Sequence, residues 1–97
     1  MEERVYLGIL FDYYGELLTD KQKMYFEDYY FNNLTLSEIS SNNSISRNAI
    51  HKQIKDANEK LIQYEKILKL YEKSKKINEI LEKVENERIK EEIKELI

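Results

Sequence analysis

Apolar residues recur at helical spacing along almost the whole chain, and the polar residues between them carry two clear helix-start signals. Val5, Leu7, Ile9, Leu10, Phe11, Tyr14, Leu17 and Leu18 cover most of one side of a helix predicted over about residues 3–18. Gly8 and Gly15 each cost that helix roughly 1 kcal/mol of propensity, so a close helix contact is expected at one of them. Thr19 with Gln22 makes a capping-box pattern, in which each side chain accepts the other's backbone N–H. It opens a second helix bearing Met24, Tyr25, Phe26, Tyr29, Tyr30 and Phe31, closed by Asn32-Asn33, a pair that favours turns.

A second capping box follows at Thr35 and Glu38, with Leu34 and Ile39 placed to staple the helix start. The helix it opens is short, about residues 36–42. Asn43-Ser44-Ile45 reads as a turn, and Ser46 is a good N-cap for the next helix. Two helices joined by so few residues predict a helix-turn-helix motif over residues 35–54.

Beyond the motif no helix breaker appears until about residue 74. Ile50, Ile54, Ala57, Leu61, Tyr64, Leu68 and Tyr71 are spaced 4, 3, 4, 3, 4, 3, a heptad ladder. A compact motif uses only the first three or four of these positions. Leu61, Tyr64, Leu68 and Tyr71 therefore need a packing partner, either the C-terminal segment or the same helix of a second subunit. In that segment Ile77, Ile80, Leu81, Val84, Ile89, Ile93, Leu96 and Ile97 form another stripe whose phase slips after Val84. A helix near residues 75–85, a joint at 85–87 and a last helix to the end are expected.

The fold class is thus all-α: a helix-turn-helix domain over residues 1–72, with an extended second motif helix, and a helical appendage over residues 75–97. Composition agrees, with no proline, two glycines and abundant Leu, Ile, Lys and Glu. With 97 residues the core is modest, so self-association as a homodimer is expected. The chain has no cysteine, hence no disulfide framework or thiolate metal site. No basic leader precedes the first apolar run, and no run approaches the roughly 20 residues that span a bilayer. A cytoplasmic protein without membrane insertion is expected.

Charge is unevenly distributed. Residues 1–46 carry net −5, residues 47–76 net +5 and residues 77–97 net −3. The basic stretch coincides with the second motif helix, where a nucleic-acid reader places its footprint. With Ile50, Ile54 and Ala57 turned to the core, Arg47, Asn48, His51, Lys52 and Lys55 occupy the open side. Arg47 suits guanine and Asn48 adenine, while His51, Lys52 and Lys55 suit phosphates. The backbone N–H groups capped by Thr35 and Ser46 are further phosphate donors. In a dimer, operator reading requires the two recognition helices about 34 Å apart.

Other chemistry finds little material. The eight tyrosines lie mostly in acidic helices, with no basic residue among Tyr29, Tyr30 and Phe31, which suits an aromatic core better than a stacking platform. One histidine, no cysteine and no glycine-rich phosphate loop give an enzyme nothing to work with. The adjacent acidic pairs Glu27-Asp28 and Glu91-Glu92 diverge on a helix, so no metal or other cofactor is expected.

The run ILFDYYGELLTDKQKMYFEDYY followed by LTLSEISSNNSISRNAIHKQIKDANEKLIQYEKILKLYE resembles the YlxM/p13 family of small bacterial helix-turn-helix proteins. LLTDKQ joined to an aromatic helix is its most specific piece, and the likeness is strongest over residues 6–72. Leu36-Ser37-Glu38-Ile39 and Ser46-Arg47-Asn48-Ala49-Ile50 also resemble the fourth, DNA-reading region of bacterial sigma factors. The family resemblance implies a regulatory or accessory protein of the signal recognition particle pathway. Its partner is then the targeting GTPase or the particle RNA, with promoter DNA the alternative that the motif suggests. Binding the GTPase without reading DNA is the alternative to nucleic-acid binding. Against the family pattern, Ser44 stands where the turn commonly has glycine, and Ser40 where the first motif helix commonly has alanine. A serine at a positive-φ position is expected to be mildly strained.

Overall fold

The computed structural model describes all 97 residues, as helices joined by short turns. In order these are α1 (Glu3–Tyr14), α2 (Asp20–Tyr30), α3 (Leu36–Asn43), α4 (Arg47–Leu68), α5 (Leu70–Leu81) and α6 (Glu87–Lys94). The all-α expectation holds, with α3 and α4 as the two motif helices. Both capping boxes are formed. Thr19 Oγ1 accepts from the Gln22 N–H at 3.1 Å and Gln22 Oε1 from the Thr19 N–H at 3.3 Å. The reciprocal bonds of Thr35 and Glu38 are both 3.1 Å.

The long helix α4 is the element on which α1, α2 and α3 all pack. Its periodic apolar side serves two clusters. Towards its start, Ile50 and Ile54 meet Tyr25 of α2 and Ile39 of α3, with Leu34 and Leu36 against them. Further along, Ala57 and Leu61 meet Leu7, Leu10 and Tyr14 of α1, together with Leu18 and Phe26. Burial of each large apolar side chain is worth roughly 1.5–3 kcal/mol, so these clusters rather than helix propensity fix the arrangement.

Four expectations change. The first helix ends at Tyr14 and not Leu18, because Gly15–Leu17 tightens into a 3-10 turn. A Cβ on Gly15 would sit 3.0 Å from the Phe11 ring, which is itself stacked on Phe26 at 4.6 Å. The close contact at Gly15 is therefore with its own helix, while Gly8 meets Phe31 at an ordinary 3.6 Å.

The second change concerns the long helix, which stops at Leu68 and does not run on to residue 74. Lys69 adopts the left-handed conformation (φ 56°, ψ 32°) and α5 starts at once, at Leu70. The cause is a pair of side chains. Glu65 is buried, and its carboxylate accepts from the N–H groups of Tyr71 and Glu72, both at 3.1 Å. The Tyr14 hydroxyl accepts from the Leu70 N–H at 3.0 Å and donates to Glu65 at 2.6 Å. These acceptors take the donors that open α5.

Third, the ladder finds its partner inside the chain. Leu61 is buried, and Tyr64 and Tyr71 pack on the α1 cluster. Tyr71 lies 6.1 Å from both Tyr6 and Tyr13, ring centre to ring centre. Leu68 is 42 % exposed and leaves the ladder, because the turn at Lys69 swings the chain away after it.

Last, the tail breaks earlier than the stripe suggested. α5 closes at Leu81, and α6 begins after Asn86, whose side chain accepts from the Ile89 N–H at 3.1 Å. α5 packs on α1 and α4, so at least this part of the tail is covered within the chain.

Candidate nucleic-acid interface

The motif turn is closed by side chains as well as backbone. Ser44 sits at φ 54°, ψ 38°, the conformation that glycine or asparagine adopts most readily. Asn43 Nδ2 donates to the Ile39 carbonyl at 2.8 Å, which satisfies a carbonyl near the end of α3. The Ser40 hydroxyl donates to the Ile45 carbonyl, while the Ile45 N–H returns to the Ser40 carbonyl at 3.3 Å. The two serines that depart from the common pattern thus belong to one device, in which Ser40 ties down the turn that Ser44 bends. Ser46 then caps α4 by accepting from the Ala49 N–H at 3.1 Å.

Arg47, Asn48, His51, Lys52 and Lys55 all lie exposed on the first two and a half turns of α4. At about 100° per residue they fall within an arc of about 140°, with Ile50 and Ala57 turned away from it to the core and Ile54 at its edge. They form one face. Its charges are not equivalent, because Lys52 pairs with Asp56 at 3.2 Å whereas Arg47 and Lys55 have no acidic partner. The freely available cations of the face are Arg47 and Lys55.

Beside this face is a shallow opening of about 180 Å³, lined by Tyr29, Tyr30, Leu36, His51, Ile54, Lys55 and Asn58. His51 therefore borders both solvent and an aromatic wall. Asn58 Nδ2 donates to the Tyr30 hydroxyl at 2.8 Å, which fixes the floor. Burial raises the Tyr30 hydroxyl above its ordinary pKa, opposed by that hydrogen bond, so the group is neutral at any physiological pH. From the far side Arg4 donates to the Tyr29 carbonyl at 2.9 Å and the Tyr30 carbonyl at 3.3 Å. Its guanidinium also lies 5.5 Å and 4.9 Å from the two ring centres.

Asn58 and Arg4 are not singled out by the sequence, which presents Tyr29 and Tyr30 only as aromatic core. Asn58 carries a faint signal, a polar residue beside Ala57 on the inner half of α4. Arg4 carries none, since its carbonyl partners lie 25 and 26 residues away. No cluster of three or more His, Cys, Asp or Glu side chains is placed to hold a metal ion. No helix is long and apolar enough to cross a membrane.

The family described as "Putative helix-turn-helix protein, YlxM / p13 like" matches residues 1–97. Among curated relatives, a UPF0122 protein of Malacoplasma penetrans is 54 % identical over 63 residues, 65 % of this chain and 59 % of that protein. One from Clostridium novyi is 48 % identical over 77 residues, covering 79 % of this chain and 67 % of its own length. Another, from Fusobacterium nucleatum, is 39 % identical over all 97 residues and 94 % of its own length. The matched segment thus spans about three fifths of the Malacoplasma protein and nearly all of the Fusobacterium one. With the helix-turn-helix built as described and the match running from end to end, the chain belongs to the YlxM/p13-like family of helix-turn-helix proteins.

Proposed function

We propose that the protein is a regulatory or accessory factor that binds nucleic acid through the exposed face at the start of α4. The observation that carries this reading is the shared face of Arg47, Asn48, His51, Lys52 and Lys55, with Arg47 and Lys55 free of acidic partners, on a helix that begins at a capped motif turn. Arg47 and Asn48, nearest the helix start, are the base-reading pair. His51, Lys52 and Lys55 hold phosphates, aided by the N–H groups at the starts of α3 and α4. The family resemblance adds the setting, the cytoplasmic signal recognition particle pathway, and favours the particle RNA over promoter DNA as the ligand.

A titration tests it. Duplex DNA and the particle RNA are each added to the wild-type protein, Arg47→Ala and Lys55→Ala at two salt concentrations. Binding that weakens steeply with salt and falls in both variants is expected. Salt-insensitive binding unchanged by either substitution overturns the reading.

A second reading, docking to the targeting GTPase, is favoured by one feature. Ile67, Leu68 and Leu70 are 66 %, 42 % and 44 % exposed, and adjoin one another at the bend between α4 and α5. Binding of the GTPase that ignores salt and the α4 face but fails in Ile67→Glu supports it. The homodimer belongs to the same proposal, although within one chain Leu61, Tyr64 and Tyr71 of the expected ladder already pack on α1 and only Leu68 is left exposed.

A further inference from the structure

We infer that the bend at Lys69 is a hinge through which two copies of this chain exchange α5 and α6. Three consecutive N–H groups, those of Leu70, Tyr71 and Glu72, would take the carbonyls of Lys66, Ile67 and Leu68 in a continuous helix. Here they go to Tyr14 and to the two carboxylate oxygens of Glu65. On either side the helical ladder is intact, with Lys69 N–H on the Glu65 carbonyl and Lys73 N–H on the Lys69 carbonyl, both at 2.9 Å. One residue's backbone angles therefore separate two helices from one.

That residue is a lysine, for which the left-handed conformation is unfavourable. The segment KILKLYEK around it contains no glycine, proline or asparagine, and every residue in it accepts a helix. Local preference favours the straight form. The bent form is held from a distance, by Tyr14, by Glu65 and by the packing of α5 on α1.

Straightening produces a single helix from Arg47 to Leu81, about 52 Å long at 1.5 Å per residue. It lifts α5 off its own α1 and uncovers Tyr6, Tyr13 and Tyr71, along with Ser74. A surface complementary to each half already exists, on a second copy. The contacts given up within one chain re-form between two, once in each direction, so two straightened chains recover what each lost. The occupant of the vacated α1 surface is accordingly α5 of a partner copy. α6 follows α5, since Leu96 and Ile97 line the same apolar opening as Tyr13, Leu70 and Ile77. This inference does not depend on what the α4 face binds.

The chain has no cysteine of its own, so an introduced pair reports cleanly. Tyr13→Cys and Tyr71→Cys are made in separate chains, the rings they replace lying 6.1 Å apart. The two are mixed over a range of concentrations, incubated and oxidised. Exchange gives a disulfide between the two different chains that increases with concentration and exceeds what either gives alone. Light scattering follows mass in parallel. Lys69→Gly, which favours the bend and disfavours the straight helix, is expected to weaken dimerisation about tenfold or more. Lys69→Ala, and Tyr14→Phe combined with Glu65→Leu, are expected to strengthen it. Circular dichroism separates these effects from unfolding, because exchange keeps the helix content. Mixed chains that stay unlinked, with a mass unmoved by the Lys69 substitutions, overturn the inference. So does a dimer that never links residue 13 to residue 71 between chains. If the combined variant fails to fold, the cysteine mixture in the otherwise native chain still decides.

Discussion

The hydroxyl of Tyr14 donates to the carboxylate of Glu65 at 2.6 Å, 51 residues along the chain, and between them they receive the first three N–H groups of α5. A buried carboxylate in a small helical protein is costly unless several donors reach it. Here three do, one from α1 and two from α5. The group most expensive to bury is also the one that joins the first helix, the long helix and the tail.

Removing the hydroxyl is therefore more damaging than an ordinary surface change. Tyr14→Phe leaves the Leu70 N–H without its acceptor and takes one donor from Glu65. A loss of about 1.5–3 kcal/mol is expected for a bond to a charged group. It is read as a lower urea midpoint at unchanged slope.

Alkaline pH should weaken the same joint. Burial first, and the hydrogen bond to Glu65 next, push the Tyr14 hydroxyl from 10.0 up to about 12. The folded pKa lies above the unfolded one, so this stabilisation is complete below about pH 10 and is lost as pH rises towards 12. Burial also raises Tyr6 and Tyr30, which act in the same direction. Melting temperature should fall above pH 10, and fall less steeply in Tyr14→Phe.

In the motif turn the two serines have opposite signs. Ser44→Gly relieves a left-handed serine and should gain about 0.5–1 kcal/mol, after the extra freedom of the unfolded glycine is subtracted. Ser40→Ala removes the bond to the Ile45 carbonyl and should lose about 1 kcal/mol. Thermal unfolding of both variants beside the parent checks the pair.

Asp56 should act as a brake on the α4 face, since its carboxylate holds Lys52. Asp56→Asn releases that lysine, and nucleic-acid affinity should rise with a salt dependence steeper by about one unit. Lys52→Ala should cost less than Lys55→Ala, because only Lys55 is free of an ion pair. Filter binding or fluorescence anisotropy at four salt concentrations resolves the slopes.

At the outer bend, Ile67→Glu should change stability by no more than about 0.5 kcal/mol, given its exposure. Nucleic-acid affinity should be unaffected. Unchanged capture of the targeting GTPase by this variant removes the protein-docking reading.

Much of the fold was legible because its signals are local. The capping boxes at Thr19 and Thr35 and the cap at Ser46 each lie within four residues, and each is formed as read. The open face of α4 follows from a 3.6-residue period, although the pairing of Lys52 with Asp56 went unread despite its i,i+4 spacing. The bend at Lys69 was not legible. Nothing in KILKLYEK departs from helix, and the groups that break it stand at Glu65 and at Tyr14, 55 residues before Lys69. The same distance hid the opening beside His51, whose wall comes from α2 and whose brace is Arg4. Local chemistry announces where helices begin; a helix ended by a distant tyrosine carries no mark at the place where it ends.

α4 also places its two ends under a common constraint. Arg47 and Glu65 stand on one unbroken rod, about 27 Å apart at 1.5 Å per residue. α1, α2 and α3 all pack along this rod, so its two ends are not placed independently of each other. The open basic face at one end and the carboxylate that sets the tail at the other therefore belong to one rigid element, and the position of either fixes that of the other.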